Sequence, residues 1–130
     1  MTLIEQITLA NGLVLNIYDL SRPIAADTAK VEIYIQTEVA LEASYFCSVE
    51  DYALVKSVFG DKIQFEYRKE RTFTPLEKQN EVRDELILTF KNNSFHYLSS
   101  PNFPQSLALA KLRDIKKNPY KYGKIPEQEA

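Results

Sequence analysis

Residues 29–41 read Ala29-Lys30-Val31-Glu32-Ile33-Tyr34-Ile35-Gln36-Thr37-Glu38-Val39-Ala40-Leu41. Ala29, Val31, Ile33, Ile35, Thr37, Val39 and Leu41 alternate with Lys30, Glu32, Tyr34, Gln36, Glu38 and Ala40. Successive side chains of a strand point to opposite faces, so a two-residue period this long predicts a strand with one face on a core and the other wet. A half-wet strand of this kind belongs in an antiparallel sheet, since parallel sheets are covered on both faces.

The pattern extends toward the N-terminus. Asn11-Gly12 between apolar runs is a hairpin signal. A two-residue loop would pair Ala10 with Leu13 and set Ile7 opposite Asn16. A three-residue loop pairs Leu9 with Leu13, Ile7 with Leu15 and Glu5 with Ile17, gathering the apolar residues on one face. Burial of that face selects the second register, with Gly12 at the left-handed position of a bulge. Residues 19–28 form a connection in which Pro23 restrains Arg22 from helix.

Toward the C-terminus, Ser48 and Asp51 match a capping box and Gly60 fits the position past a helix end. Tyr52, Val55, Val58 and Phe59 would form its apolar stripe. Residues 62–73 return to strand, with Ile63, Phe65 and Tyr67 inward. Thr74-Pro75-Leu76-Glu77 predicts a second helix start, running to Lys91 with Val82, Leu86, Ile87 and Phe90 buried and Asn92-Asn93 ending it. A last helix spans residues 105–117, with Ala108, Leu109, Leu112 and Ile115 inward. The expectation is an α+β fold: an antiparallel sheet of about four strands, with about three helices mostly on one face. Residues 1–118 read as a single domain and 119–130 as an extended or frayed tail.

Composition bounds the function. Of 130 residues, 45% are hydrophobic and 26% charged, which suits a globular chain rather than a disordered one. No segment approaches the ~20 apolar residues of a membrane helix. Cys47 is the only cysteine, so no internal disulfide forms. With no basic, apolar leader at Met1-Thr2-Leu3-Ile4-Glu5, this points to a reducing, cytoplasmic setting. Charge is polarised: residues 1–50 hold two basic and seven acidic side chains, net −5, whereas residues 111–124 hold six basic and one acidic, net +5. Such poles steer partners or favour self-association.

Most chemistries find no motif. One His and one Cys, His96 and Cys47, cannot make a structural zinc site, and no loop has the ligand spacing of a calcium site. Three glycines, Gly12, Gly60 and Gly123, cannot write a phosphate-binding loop. Cys47 precedes a helix and His96 could serve as its base, but nothing in the sequence joins them, and a small buried hydrophobe is the commoner role for such a cysteine. No catalytic residue, metal or cofactor is implied.

Three weaker pointers remain. Asp19, Arg22 and Asp27 share one loop and could orient a small molecule, or simply tie the loop down. Tyr18, Tyr34 and Gln36 on the wet face of the sheet offer contact area for a protein partner, including a second copy. Lys116, Lys117, Tyr120, Lys121 and Tyr122 combine cations with stackable rings, the ingredients of nucleic-acid contact. The sequence pI near 5.5 weighs against that use, and cations also suit a helix C-terminus.

The segment Asn11-Gly12-Leu13-Val14-Leu15-Asn16-Ile17-Tyr18-Asp19-Leu20-Ser21-Arg22-Pro23, continuing to Asp27 and Val31, resembles a family of small bacterial proteins to which no activity is assigned. The resemblance implies a bacterial origin and transfers no catalytic residue. The expected function is a non-enzymatic interaction module whose partner is a protein, including itself. The alternatives are a small-molecule binder or enzyme using the Asp19–Arg22–Asp27 loop, and nucleic-acid association through the basic stretch.

Overall fold

A computed structural model of the chain describes residues 1–122. The fold is α+β. Its antiparallel sheet contains β1 (Thr2–Thr8), β2 (Val14–Asp19), β3 (Arg22–Pro23), β4 (Thr28–Ala40) and β5 (Lys62–Pro75). The helices are α1 (Val49–Phe59), α2 (Gln79–Leu98) and α3 (Phe103–Lys117). The sheet has five strands rather than four because the connection after β2 contributes the two-residue β3, pairing Arg22 with Lys30 and Pro23 with Ala29. Strand order is β1-β2-β4-β3, and β5 pairs β4.

The chain divides into two compact units, Met1–Thr37 with Phe65–Ser100, and Glu38–Gln64 with the chain from Pro101 onward. In the first unit the hairpin has the three-residue loop. Ile7 faces Leu15 and Glu5 faces Ile17, while the Leu9 amide donates to the Leu13 carbonyl at 2.7 Å. Gly12 takes φ +89°, a left-handed conformation that a side chain would strain. β2 continues the pattern by pairing Ile17 with Ile35 and Tyr18 with Tyr34. Leu15, Ile17, Val31, Ile33 and Ile35 are completely buried on one face. The helix packed on that face, α2, buries Leu86, Ile87 and Phe90, and the Tyr67 and Phe90 rings meet at 4.8 Å. Thr37 interrupts the apolar row at no cost in unpaired polar atoms, since its hydroxyl donates to the Val14 carbonyl at 2.7 Å.

In the second unit α1 packs on α3. Ser48 caps α1, accepting the Asp51 amide at 3.1 Å, and Gly60 ends it at φ +82°. Val55 in α1 and Phe103, Leu107, Ala108, Leu112 and Ile115 in α3 are buried. Pro119–Tyr122 forms one 3₁₀ turn where an extended tail was expected, and the rest of that expectation, residues 123–130, lies outside the described residues.

α2 departs from expectation at both ends. Thr74-Pro75 resembles a cap, but β5 continues through it. The Thr74 side chain is buried and donates to the Arg71 carbonyl, and Pro75 is extended. A 3₁₀ turn, Leu76–Lys78, intervenes, with the Leu76 amide held by the Asp27 carbonyl at 3.1 Å. At the other end α2 passes through Asn92-Asn93 to Leu98. Its stop is a tertiary contact: Asn11 Nδ2 donates to the carbonyls of Leu98 and Ser100, both at 2.8 Å, while its Oδ1 accepts the Leu13 amide at 3.2 Å.

One part-buried amide thus ties the hairpin turn to the end of α2. Asn11→Ala removes all three bonds and is expected to cost about 2 kcal/mol, with the denaturant slope unchanged. Urea unfolding checks this, and a loss below about 0.5 kcal/mol would mean that water replaces the side chain freely.

Candidate functional site

β1 lies at an edge of the sheet. In an antiparallel ladder, residues alternate between bonding their neighbour and pointing their amide and carbonyl away from it. Leu9 bonds back to Leu13, so Ile7 also turns toward β2, and the amides and carbonyls of Gln6 and Thr8 face outward. Register shifts between Leu3 and Glu5, where Ile4 is the extra residue of a bulge and remains 38% exposed.

Beneath this edge runs a groove. Ile4 and Glu5 of β1 and Arg83, Asp84, Ile87, Leu88 and Lys91 of α2 line a cavity of about 340 Å³. Ile7, Asn92 and Phe95, again with Lys91, line a second of about 320 Å³. From Asp84 to Phe95 the helix climbs about 16 Å, the reach of about five extended residues. Its apolar lining comes from Ile4, Ile7, Ile87, Leu88 and Phe95, and its four charged side chains are paired. Lys91 Nζ bonds both Glu5 oxygens, at 3.0 and 2.9 Å. Arg83 bonds Asp19 at 3.3 Å and Asp84 at 3.1 Å.

The other face of the same sheet is polar and turned on itself. Gln6 Nε2 donates to Asn16 Oδ1 at 2.8 Å, and Asn16 Nδ2 donates to Gln36 Oε1 at 3.1 Å. The rings of Tyr18 and Tyr34 lie 5.8 Å apart, and the Arg68 guanidinium sits 4.6 Å above the Tyr34 ring. Tyr34 donates its hydroxyl to Glu66. Burial first, and then the bond to Glu66, push the Tyr34 phenol up to about 12, so it stays a proton donor at neutral pH. Glu32 and Glu70 bind Arg68 and Lys30, at 3.3 and 3.1 Å. The structure therefore gathers Tyr18, Tyr34 and Gln36 on one surface, with Tyr34 only 9% exposed.

Asp19, Arg22 and Asp27 are distributed differently. Asp19 caps the turn by accepting the Ser21 amide at 2.8 Å, and its ionic partner is Arg83 of α2, not Arg22. Arg22 and Asp27 are exposed on β3 and the loop beyond it. Partial burial pushes the Asp19 carboxyl up, but the bonds from Ser21 and the Arg83 guanidinium outweigh it and hold the pKa below the ordinary carboxylate value.

In the second unit the basic stretch is partly neutralised. Lys116 pairs with Asp51 at 3.1 Å and Lys121 with Asp114 at 3.2 Å. Tyr122 donates its hydroxyl to Asp114 and stacks edge-on against Phe59 at 5.5 Å. Lys117 and Tyr120 are exposed, Tyr120 at 95%. Cys47 is exposed just before α1, and His96 is exposed on α2 in the other unit. Among the described residues no group of three His, Cys, Asp or Glu side chains could hold a metal ion. No helix among them is long and apolar enough to cross a membrane.

The sequence reading missed Ile4, Arg83, Leu88 and Lys91. The available signal was a second stripe on α2, Asp84, Leu88, Lys91 and Phe95 at helical spacing, beside the buried stripe that fixed its inner face. Comparisons with protein-family models, curated proteins and solved structures return no match.

Because the folded pKa of Asp19 is depressed, its stabilisation is fully present above the unfolded carboxylate value of 3.8 and fades as pH falls through the folded value. Asp19→Asn is expected to cost about 1 kcal/mol at pH 7. The deficit should shrink steadily as urea unfolding is repeated toward pH 3. A deficit independent of pH would show that the charge contributes nothing and the loss is steric.

Proposed function

We propose that the chain is a non-enzymatic interaction module that takes an extended protein segment along the edge of β1. The observation that carries this reading is the outward backbone of Gln6 and Thr8, set directly beside the groove between β1 and α2. An added strand gains main-chain hydrogen bonds from the edge, and alternate side chains gain burial from the pockets. Residues two apart in such a segment point the same way. The two cavities therefore favour apolar side chains at positions i and i+2 of the partner.

Three contrasts support this reading over its rivals. On the Tyr18–Tyr34–Gln36 face, Gln36 is already bonded to Asn16 and Tyr34 to Glu66, so a partner at those two groups would have to displace bonds rather than add them. Lys116 and Lys121 of the basic stretch are engaged with Asp51 and Asp114, which weakens its pull on phosphate. The Asp19–Arg22–Asp27 loop has its one part-buried carboxylate committed to Arg83.

Selection of peptides from a random displayed library tests the reading. Enriched sequences should share apolar residues two apart and shift the amide resonances of Gln6, Thr8 and Leu88. Gln6→Pro deletes one outward donor and, apart from the side-chain bond to Asn16, leaves the backbone bonds between β1 and β2 in place, and it should weaken binding at least tenfold. Peptides that bind Gln6→Pro as well as the parent, or a library from which nothing is enriched, would contradict an edge-pairing role.

A further inference from the structure

We infer that the segment received by β1 runs antiparallel to it and carries a lysine or arginine two residues after its second apolar side chain, where Asp84 holds the cation. This rests on the edge-pairing reading and gives its partner a charge and a direction. β1 and α2 ascend together: Ile4 and Glu5 share one cavity with Asp84 and Leu88, and Ile7 shares the other with Asn92 and Phe95. An antiparallel neighbour, the more stable pairing per residue, descends from the Ile7 cavity toward Asp84. Opposed residues of an antiparallel pair lie on one face, so the partner's residues opposite Ile7 and Glu5 both face the groove, as positions i and i+2. From Asn92 down to Asp84 the helix spans about 12 Å, and four extended residues reach about 13 Å. Position i+4 of the partner therefore arrives level with Asp84.

That end of the groove has an excess of negative charge. Lys91 answers the single carboxylate of Glu5, but Arg83 is shared between two, Asp19 and Asp84. The excess falls at Asp84, whose side chain is 68% exposed against 24% for Arg83 and 21% for Asp19. The outermost charged group of this cluster is thus a carboxylate. Glu81, one turn earlier on the same helix and exposed, adds to it. A cation at i+4 meets a carboxylate that its neighbour only partly neutralises, whereas an anion there meets repulsion. The Ile7 cavity makes no such demand, because the one charge lining it, Lys91, is held by both Glu5 oxygens.

Binding of short end-blocked peptides to the full chain, followed by fluorescence anisotropy, tests this. Three peptides carry two valines two apart, then lysine, glutamine or glutamate two residues further on. A fourth has the lysine ahead of the valines instead. The parent should bind the lysine peptide on the order of tenfold more tightly than the glutamate one, with glutamine between, and the gap should narrow at high salt. The reordered peptide should bind no better than the glutamine one. Asp84→Lys should reverse the ranking, and should that variant fail to fold, Asp84→Asn at the same exposed position should abolish it. Equal affinities on the parent, a ranking that survives the substitution, or a reordered peptide bound as tightly as the first overturns the proposal. Equal affinities that still fall in Gln6→Pro leave the edge reading intact without its charge rule, and a parent that binds no peptide removes both.

Discussion

A strand of thirteen residues with Val31, Ile33, Ile35 and Val39 along one side cannot leave that side in water. Each such side chain gains roughly 1.5–3 kcal/mol on burial. All four are at most 1% exposed, and even Thr37 in the same row is sealed by donating to a backbone carbonyl. The alternation fixes the face, the face fixes the register of β2, and that register carries Ile7 and Leu15 to the same side in the hairpin. β1 is therefore held as the outermost strand of its side, with half its backbone groups directed away from the sheet. The candidate site follows from the burial of β4 rather than from any motif.

The same constraint accounts for what was legible. Period-two patterning gave β4, and the burial argument chose the three-residue hairpin loop over the two-residue one, as the pairing of Ile7 with Leu15 shows. Ser48 and Gly60 cap α1 as local chemistry demands. Signals failed where a distant residue overrode a local one. Thr74-Pro75 has the composition of a helix start, yet the strand holds Thr74 in the core and the Asp27 carbonyl takes the next amide. Asn92-Asn93 looks like a stop, but α2 ends where Asn11, 87 residues earlier than Leu98, receives its carbonyls.

Asp19 shows the limit most clearly. The turn it sits in offered the reading of a loop tied down by local hydrogen bonds, and Asp19 does accept the Ser21 amide. Its cationic partner was not visible, since Arg83 lies 64 residues away on a helix whose start was misplaced. The groove shares this property: Ile4, Leu88 and Lys91 come together only through packing of α2 on the sheet. A sequence without a chemical motif can still hold a binding surface, because edges and grooves are properties of topology and need no particular residue.

The central claim is that the outer side of β1 is open in the isolated chain. Residue-resolved hydrogen exchange tests it most directly. In dilute protein the amides of Gln6 and Thr8 should exchange orders of magnitude faster than those of Ile7 and Leu9, which bond across the hairpin. Their protection should rise as a partner strand is supplied. Equal protection of all four amides in the dilute monomer would mean that the edge is already covered, and the account would be wrong at its foundation.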